Sequence, residues 1–172
     1  RDQLSEQERD IFEDMLRTLT AERESIGDTM VFALGRAEAA KEIVEVVTES
    51  LCILETPIPA KIARLYLVSD MLHNSSAAVA RASLFRSLFE ASMPAVFTAL
   101  GDKLRAVDGR ITAAAMKDKV TRVLRVWEVW SLYPPDFIQK LEGLFLGKPV
   151  GDAAAAAVAT GEDLDGAELD ED

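Results

Sequence analysis

The sequence predicts an all-α domain, and three observations support that prediction. Of the 172 residues, 49% are hydrophobic but only 6% are aromatic, and Gly and Pro are few. Apolar residues recur at the helical period in most segments of the chain, and no segment shows a convincing strand pattern. A chain of this length can bury a complete core without disulfides or metal ions. We therefore expect one helical domain.

Capping and turn signals divide the chain into seven or eight predicted helices with short connections. Ser5 and Glu8 have the spacing of a capping box, which predicts that the first helix starts at this point. Pro94 is expected to kink or divide the fifth helical region near Ser92, because proline removes a backbone donor and clashes with the previous turn. The predicted helical segments are residues 6–19, 25–35, 37–53, 61–76, 79–104, 112–130 and 136–145.

The composition changes at residue 147, which predicts a domain over 1–146 and a separate acidic tail over 147–172. The tail contains Lys148 and eight acidic residues, so it carries −7 of the formal net charge of −11. Its last residues, GEDLDGAELDED, have few apolar side chains and are predicted to be disordered. The acidic pI of about 4.6 argues against general affinity for nucleic acid.

Several functional classes lack the residues they need. Cys52 and His73 are the only residues of their types, so no disulfide, zinc site or Cys–His pair is expected. No glycine-rich phosphate loop or dinucleotide fingerprint occurs. We predict no enzyme activity and no cofactor. No apolar run approaches the ~20 residues of a membrane span and no signal peptide is recognisable, so a soluble intracellular domain is expected. Arg1 suggests a fragment of a longer protein.

The segment 61–76 carries an unusual polar face. Its apolar side is formed by Leu65, Val68, Met71 and Leu72, whereas short hydrogen-bonding groups occupy the other side. A surface helix ordinarily carries Lys and Glu at such positions, so this face is a candidate binding surface. The alternatives are a core position for the tyrosine ring and a capping or pairing role for the aspartate. The polar side consists of Tyr66, Ser69, Asp70, His73 and Asn74.

A basic stretch lies between residues 103 and 126. Seven cationic residues stand there against two aspartates. Arg122 and Arg125 lie three residues apart, on neighbouring positions of one helix. The stretch is either a solvent-facing helix side or an anion site in which arginine binds phosphate. The cations are Lys103, Arg105, Arg110, Lys117, Lys119, Arg122 and Arg125.

Several segments in a fixed order resemble the CID, the domain that interacts with the C-terminal domain of RNA polymerase II. The segment RLYLVSDMLHNSS (64–76) resembles its signature helix. EAAKEIVE (38–45), TRVLRVWE (121–128) and LYP (132–134) stand at the expected intervals. The segments 26–33, 61–70 and 163–171 are more closely similar to the CID of U2 snRNP-associated SURP-motif splicing factors, including plant members. The resemblance covers roughly residues 8–146.

This resemblance implies a right-handed superhelix of about eight helices, of the VHS/ENTH type. Its ligand would be a phosphorylated heptad peptide in a groove lined by helices two, four and seven. Asp70 would accept the hydroxyl of the peptide's tyrosine, Asn74 would bond the peptide backbone, and Arg122 would reach the phosphate on the second-position serine. The chain departs from the family pattern at Glu22 and Glu24, which would repel a phosphopeptide. The binding residues expected on this basis are Tyr66, Ser69, Asp70, Asn74, Arg122, Arg23, Ser25 and Arg125.

The function implied by the resemblance is a nuclear, non-enzymatic recognition module that links transcription to pre-mRNA splicing. Expected partners are the phosphorylated polymerase tail and U2 snRNP or other splicing proteins, with RNA bound by domains outside this chain and no membrane contact. The main alternative is a protein–protein scaffold in a spliceosomal complex whose peptide groove is degenerate. A membrane-adaptor role is disfavoured because the first predicted helix is acidic rather than basic.

Overall fold

The computed structural model describes residues 2–75 and 83–147, and all regular structure within these ranges is helical. The predicted all-α fold of seven or eight helices is confirmed. The elements are α1 (Glu6–Arg17), α2 (Arg23–Leu34), a short 3-10 helix (Ala37–Ala39), α3 (Ala40–Cys52), α4 (Ile58–Asn74), α5 (Leu84–Ala106), α6 (Arg110–Val129) and α7 (Pro135–Leu146).

The helix starts are explained by local sequence. The predicted capping box is present at α1, where the Ser5 hydroxyl accepts from the Glu8 amide at 3.0 Å and the Glu8 carboxylate accepts from the Ser5 amide at 2.9 Å. Helix α4 begins at Ile58, three residues before the predicted start, with Pro59 in its first turn. A proline is tolerated there because the amides of the first turn have no partner within the helix.

Helix α4 occupies the centre of the domain and packs against α2, α3, α5 and α6. Ten of its seventeen residues are buried. The prediction placed Leu67 at the margin of the apolar side and Ser69 on the polar side, but both side chains are buried. A helix enclosed by neighbours on several sides has no continuous solvent face, so its sequence pattern alone overestimates its exposed side.

Two buried cations of α4 hold the ends of neighbouring helices. The Lys61 ammonium donates to the Leu51 carbonyl of α3 at 2.7 Å. The Arg64 guanidinium donates to the Leu16 carbonyl of α1 at 3.2 and 3.3 Å and to the Ser50 carbonyl of α3 at 2.9 Å. Carbonyls in the last turn of a helix have no intrahelical donor, so these side chains satisfy them and interact favourably with the helix dipole. Burial lowers the pKa of both groups.

Helix α5 is not divided within its described range, contrary to one form of the prediction, and it continues through Pro94 from Leu84 to Ala106. It packs against α3 and α7. Gly101 permits a close approach of α7, because a side-chain Cβ at this position would lie 2.5 Å from the Phe145 carbonyl oxygen and 2.9 Å from that of Leu144.

The sequence predicts core positions for Ile11, Trp127, Trp130 and Tyr133, but two of these residues lie at the surface. Ile11 is 42% exposed and Trp130 is 36% exposed, whereas Trp127 and Tyr133 are buried as predicted. Trp130 caps the end of α6, beyond the last turn packed into the core. The helical period of α6 was predicted correctly, but Trp130 follows the last helical residue, so its side chain is not buried with the others.

Helix α7 ends at Leu146, and Gly147 takes a left-handed conformation with φ of 81°. The boundary predicted between residues 146 and 147 stays a prediction, because all of the predicted tail (147–172) beyond Gly147 lies outside the described residues. In the described ranges, no helix combines the length and apolarity that a membrane crossing requires.

Candidate functional site

The candidate site begins with three residues of α4 spaced four apart. Tyr66 and Asp70 are partly buried, and Asn74 is exposed. A spacing of four residues places their side chains on one side of the helix. The rest of α4 is largely enclosed, so these residues form the accessible strip between its neighbours α2 and α6. We call Tyr66, Asp70 and Asn74 the polar strip.

The Asp70 carboxyl lies in a partly desolvated position. Burial raises its pKa above the ordinary value, and electrostatic interactions with His73 and Arg23 oppose this effect. A desolvated carboxylate forms stronger hydrogen bonds than one in bulk water because less solvent competes for its oxygens. Asp70 is therefore suited to accept a hydroxyl or amide donor from a ligand.

Asn74 joins α4 to α2. Its amide nitrogen donates to the Asp70 carbonyl at 2.8 Å and lies 3.3 Å from the Met30 sulfur. These contacts orient the side-chain amide and leave its oxygen as an acceptor at the exposed end of the polar strip. This oxygen can receive a backbone N–H from an extended ligand.

Ser69 does not lie on the polar strip. Its hydroxyl is buried and accepts a hydrogen bond from the Trp127 indole nitrogen of α6 at 3.0 Å. This bond connects α4 to α6 and fixes their relative position directly beneath Asp70. The structure therefore assigns the Ser69 oxygen a contact within the protein, behind the candidate binding surface.

The start of α2 forms one edge of the site. Arg23 is exposed, and its positive charge acts on Asp70 across the α2–α4 interface. Ser25 is partly buried, and its hydroxyl accepts from the Thr20 amide at 3.0 Å, which stabilises the turn between α1 and α2. Glu22 and Glu24 are both exposed beside Arg23. The edge thus carries more negative than positive charge.

The arginines of α6 have different surroundings. The Arg122 side chain is 77% exposed and pairs with Asp118 one turn earlier at 2.9 Å. Arg125 points to α7, where it pairs with Glu142, and it also lies 3.5 Å from Glu128. Arg122 can exchange its exposed partner for a phosphate, whereas Arg125 is held by two carboxylates. Arg125 is therefore omitted from the candidate site.

Sequence reasoning missed two apolar positions near this arginine. Val126 lies one turn after Arg122 and is 38% exposed. Trp130 lies one turn further, with its ring centroid 4.2 Å from that of His73 on α4. The prediction assigned Trp130 to the core and gave Val126 no role, although exposed apolar side chains at helix spacing beside an arginine are a readable signal. They extend the candidate site along α6.

The assembled site has features of a binding surface. Within residues 2–75 and 83–147, no group of His, Cys, Asp and Glu could hold a metal ion. The polar strip offers hydrogen-bond acceptors, the Arg122 guanidinium can donate hydrogen bonds to a phosphate group, and the Val126 side chain offers an apolar contact. Such a set suits an extended peptide that carries a hydroxyl and an anionic group.

Comparison with known proteins gives one family and two similar proteins. A family model described as the CID domain matches residues 10–141. The chain is 52% identical over 143 residues to Protein RRC1 and, equally, to Protein RRC1-like, both of Arabidopsis thaliana. Each match covers 83% of this chain but 15% of the relative. The chain therefore corresponds to a small part of these longer proteins.

Proposed function

The chain belongs to the CID domain family, and on this premise we propose that it binds the phosphorylated heptad-repeat tail of RNA polymerase II. The observation that carries the proposal is the polar strip of α4, together with an exposed arginine on the neighbouring helix α6. The Ser69–Trp127 hydrogen bond holds these two helices together at 3.0 Å. The proposed role of this site is recognition of a ligand and not catalysis.

The proposed contacts are those that the chemistry of each side chain allows. The Asp70 carboxylate accepts the hydroxyl of the peptide's tyrosine, whose ring lies against Tyr66. The Asn74 amide oxygen accepts a backbone N–H of the peptide. Arg122 donates to the phosphate on the second-position serine, and Arg23 adds positive charge at the α2 edge, where the peptide also approaches Ser25.

The distances between and along the helix axes are compatible with one peptide that contacts both helices. Packed helices have axes roughly 8–10 Å apart. Arg122 precedes Trp127 by five residues, which is about 7.5 Å along α6. An extended peptide rises about 3.3 Å per residue, so adjacent tyrosine and phosphoserine residues can reach the two helices with their side chains.

The test is a fluorescence anisotropy titration with a two-heptad peptide, either unphosphorylated or phosphorylated at the second-position serine. Arg122 is exposed and already has a carboxylate partner, so its phosphate contact should lie near the lower end of the ~1.5–3 kcal/mol range of charge-assisted hydrogen bonds. Arg122→Ala should therefore weaken binding of the phosphorylated peptide about tenfold. It should leave the unphosphorylated peptide unchanged.

Lys41→Ala provides the matched control, because Lys41 is an exposed cation on α3. It should change neither affinity by more than about twofold, since distant exposed charges are largely screened at physiological salt. Equal affinity of the wild-type chain for both peptides would reject the phosphate contact. Loss of binding in the Lys41 variant would show that only net charge matters.

We further propose that the chain is the CID of a plant-like U2 snRNP-associated SURP-motif splicing factor. In this role it would act in the nucleus and link transcription to splicing through U2 snRNP or other splicing proteins. The segments 26–33, 61–70 and 163–171 support the assignment, as does the identity to the Arabidopsis proteins. Copurification of spliceosomal proteins with the full-length protein tests it. Recovery of the polymerase alone would contradict it.

A second candidate function is a protein–protein scaffold in a spliceosomal complex. Exposed apolar side chains away from the polar strip favour it, since Val31 is 68%, Ile111 86% and Val129 82% exposed. A scaffold of this kind should keep its protein partners after Asp70→Ala. Failure of the wild-type chain to bind either heptad peptide, with those partners retained, would favour the scaffold over the peptide-binding module.

A further inference from the structure

One side of α6 carries positive charge that the described part of the chain does not neutralise. Arg110 and Lys117 are exposed and form no ion pair with any described residue. At about 100° per residue they lie on the same side of the helix, while Arg122 lies about 140° around from Lys117. We call Arg110 and Lys117, with Arg105 at the end of α5, the cationic flank.

The last described residue of the domain lies against this flank. Glu142 of α7 pairs with Arg125 of α6, and the last turn of α7 reaches Arg105 near the end of α5. Arg105 donates to the Phe145 carbonyl at 3.3 Å. A Cβ on Gly147 would lie 2.7 Å from its guanidinium nitrogen. The chain therefore leaves the domain beside Arg105.

The segment after Gly147 has the complementary charge. Residues 148–172 contain eight acidic side chains and one lysine, and seven of the acids lie within 162–172. Fourteen residues lie between Gly147 and Glu162, and a random coil of that length spans roughly 20 Å on average. Helix α6 is 20 residues long, about 30 Å. The acidic end can thus reach Arg110 and Lys117 without strain.

We propose that the cationic flank is a docking surface for the acidic end of the same chain, residues 162–172. Because both are parts of one molecule, the effective concentration of the acidic end at the flank is of the order of millimolar, which favours the contact even when each ion pair is weak. The contact is separate from the polar strip and from Arg122, so it does not depend on the proposed peptide binding.

The test uses the full chain with a nitroxide spin label at Gly166→Cys, in a Cys52→Ala background that leaves one thiol. Paramagnetic broadening of backbone amide signals reports which residues the labelled tail approaches. At 20 mM salt we expect broadening centred on Arg105, Arg110 and Lys117. It should fall at least fivefold at 0.5 M salt, where charges are screened beyond roughly 4–5 Å.

Two variants of this labelled chain separate specific docking from diffuse attraction. Arg110→Gln with Lys117→Gln should abolish the broadening on the flank, while Lys140→Gln, a control on an exposed α7 lysine, should leave it unchanged. Broadening that is uniform over the domain, that centres on Arg122, or that survives the double substitution would overturn the proposal. Unchanged backbone chemical shifts away from the substituted sites would establish that the variants remain folded.

Discussion

The hydrogen bond between Ser69 and Trp127 gives the sharpest test of how the site is built. Ser69→Ala removes the hydroxyl that accepts from a buried indole N–H at 3.0 Å. Trp127 has no solvent exposure, so water cannot replace the serine. A buried donor without an acceptor costs about 1–3 kcal/mol. We expect this loss in the free energy of unfolding, with a melting temperature lower by roughly 2–4 °C per kcal/mol.

Urea unfolding monitored by circular dichroism measures the effect. The free energy of unfolding should keep the same slope against urea concentration, because the same surface is exposed on unfolding, while the urea concentration at the midpoint falls. Ser92→Ala is the matched control. The Ser92 hydroxyl donates only to carbonyls of its own helix. These carbonyls keep their backbone partners, so this variant should lose less than about 1 kcal/mol.

A double-mutant cycle with Trp127→Phe isolates the contact. If the bond acts as described, Ser69→Ala should cost much less in the Trp127→Phe background, and the coupling should fall in the range of about 0.5–3 kcal/mol. Additive effects would refute the contact. If Ser69→Ala costs less than about 0.5 kcal/mol but weakens the peptide tenfold, the hydroxyl contacts the ligand directly, and its placement behind the binding surface is incorrect.

Three other predictions test the site and the core. Asp70→Asn should stabilise the fold at neutral pH and weaken peptide binding. Because burial raises the carboxyl pKa in the folded state, the stability of the wild-type protein falls as pH rises through that pKa. The difference in stability between the variant and the wild type should therefore vanish below about pH 3.8. Arg64→Ala should lower the free energy of unfolding in urea by about 1–3 kcal/mol for each carbonyl left unpaired, since the Leu16 carbonyl of α1 and the Ser50 carbonyl of α3 lose their charged donor. Glu22→Gln with Glu24→Gln should tighten phosphopeptide binding about two- to fivefold at low salt, an effect that should disappear at high salt.

The order of the helices could be predicted because local signals determine it. The capping box of Ser5 and Glu8 and the helix-starting prolines act within one turn, so they are readable from neighbouring residues. Pro94 shows where such signals fail. The cost of a proline inside a helix is local, but α5 continues because its residues on both sides are packed against α3 and α7. That packing involves residues far apart in sequence.

The candidate site was only partly predictable for the same reason. Residue types and spacing identify Tyr66, Asp70 and Asn74 on one strip of α4. They do not reveal that Ser69, next to Asp70, is directed to an indole 58 residues later. The partners of arginines are equally non-local, since Arg125 is paired with Glu142 of α7 whereas Arg122 finds its carboxylate within α6.

The difference between these two arginines connects the fold to its function. An arginine held by a carboxylate on another helix stabilises the position of that helix, so releasing it for a ligand would disturb α6–α7 packing. Arg122 has its partner on its own helix, at an exposed position where ion pairs contribute only about 0.3–0.5 kcal/mol. A phosphate can displace Asp118 at little cost to the fold. The proposed phosphate contact thus uses the arginine whose own ion pair contributes little to the stability of the fold.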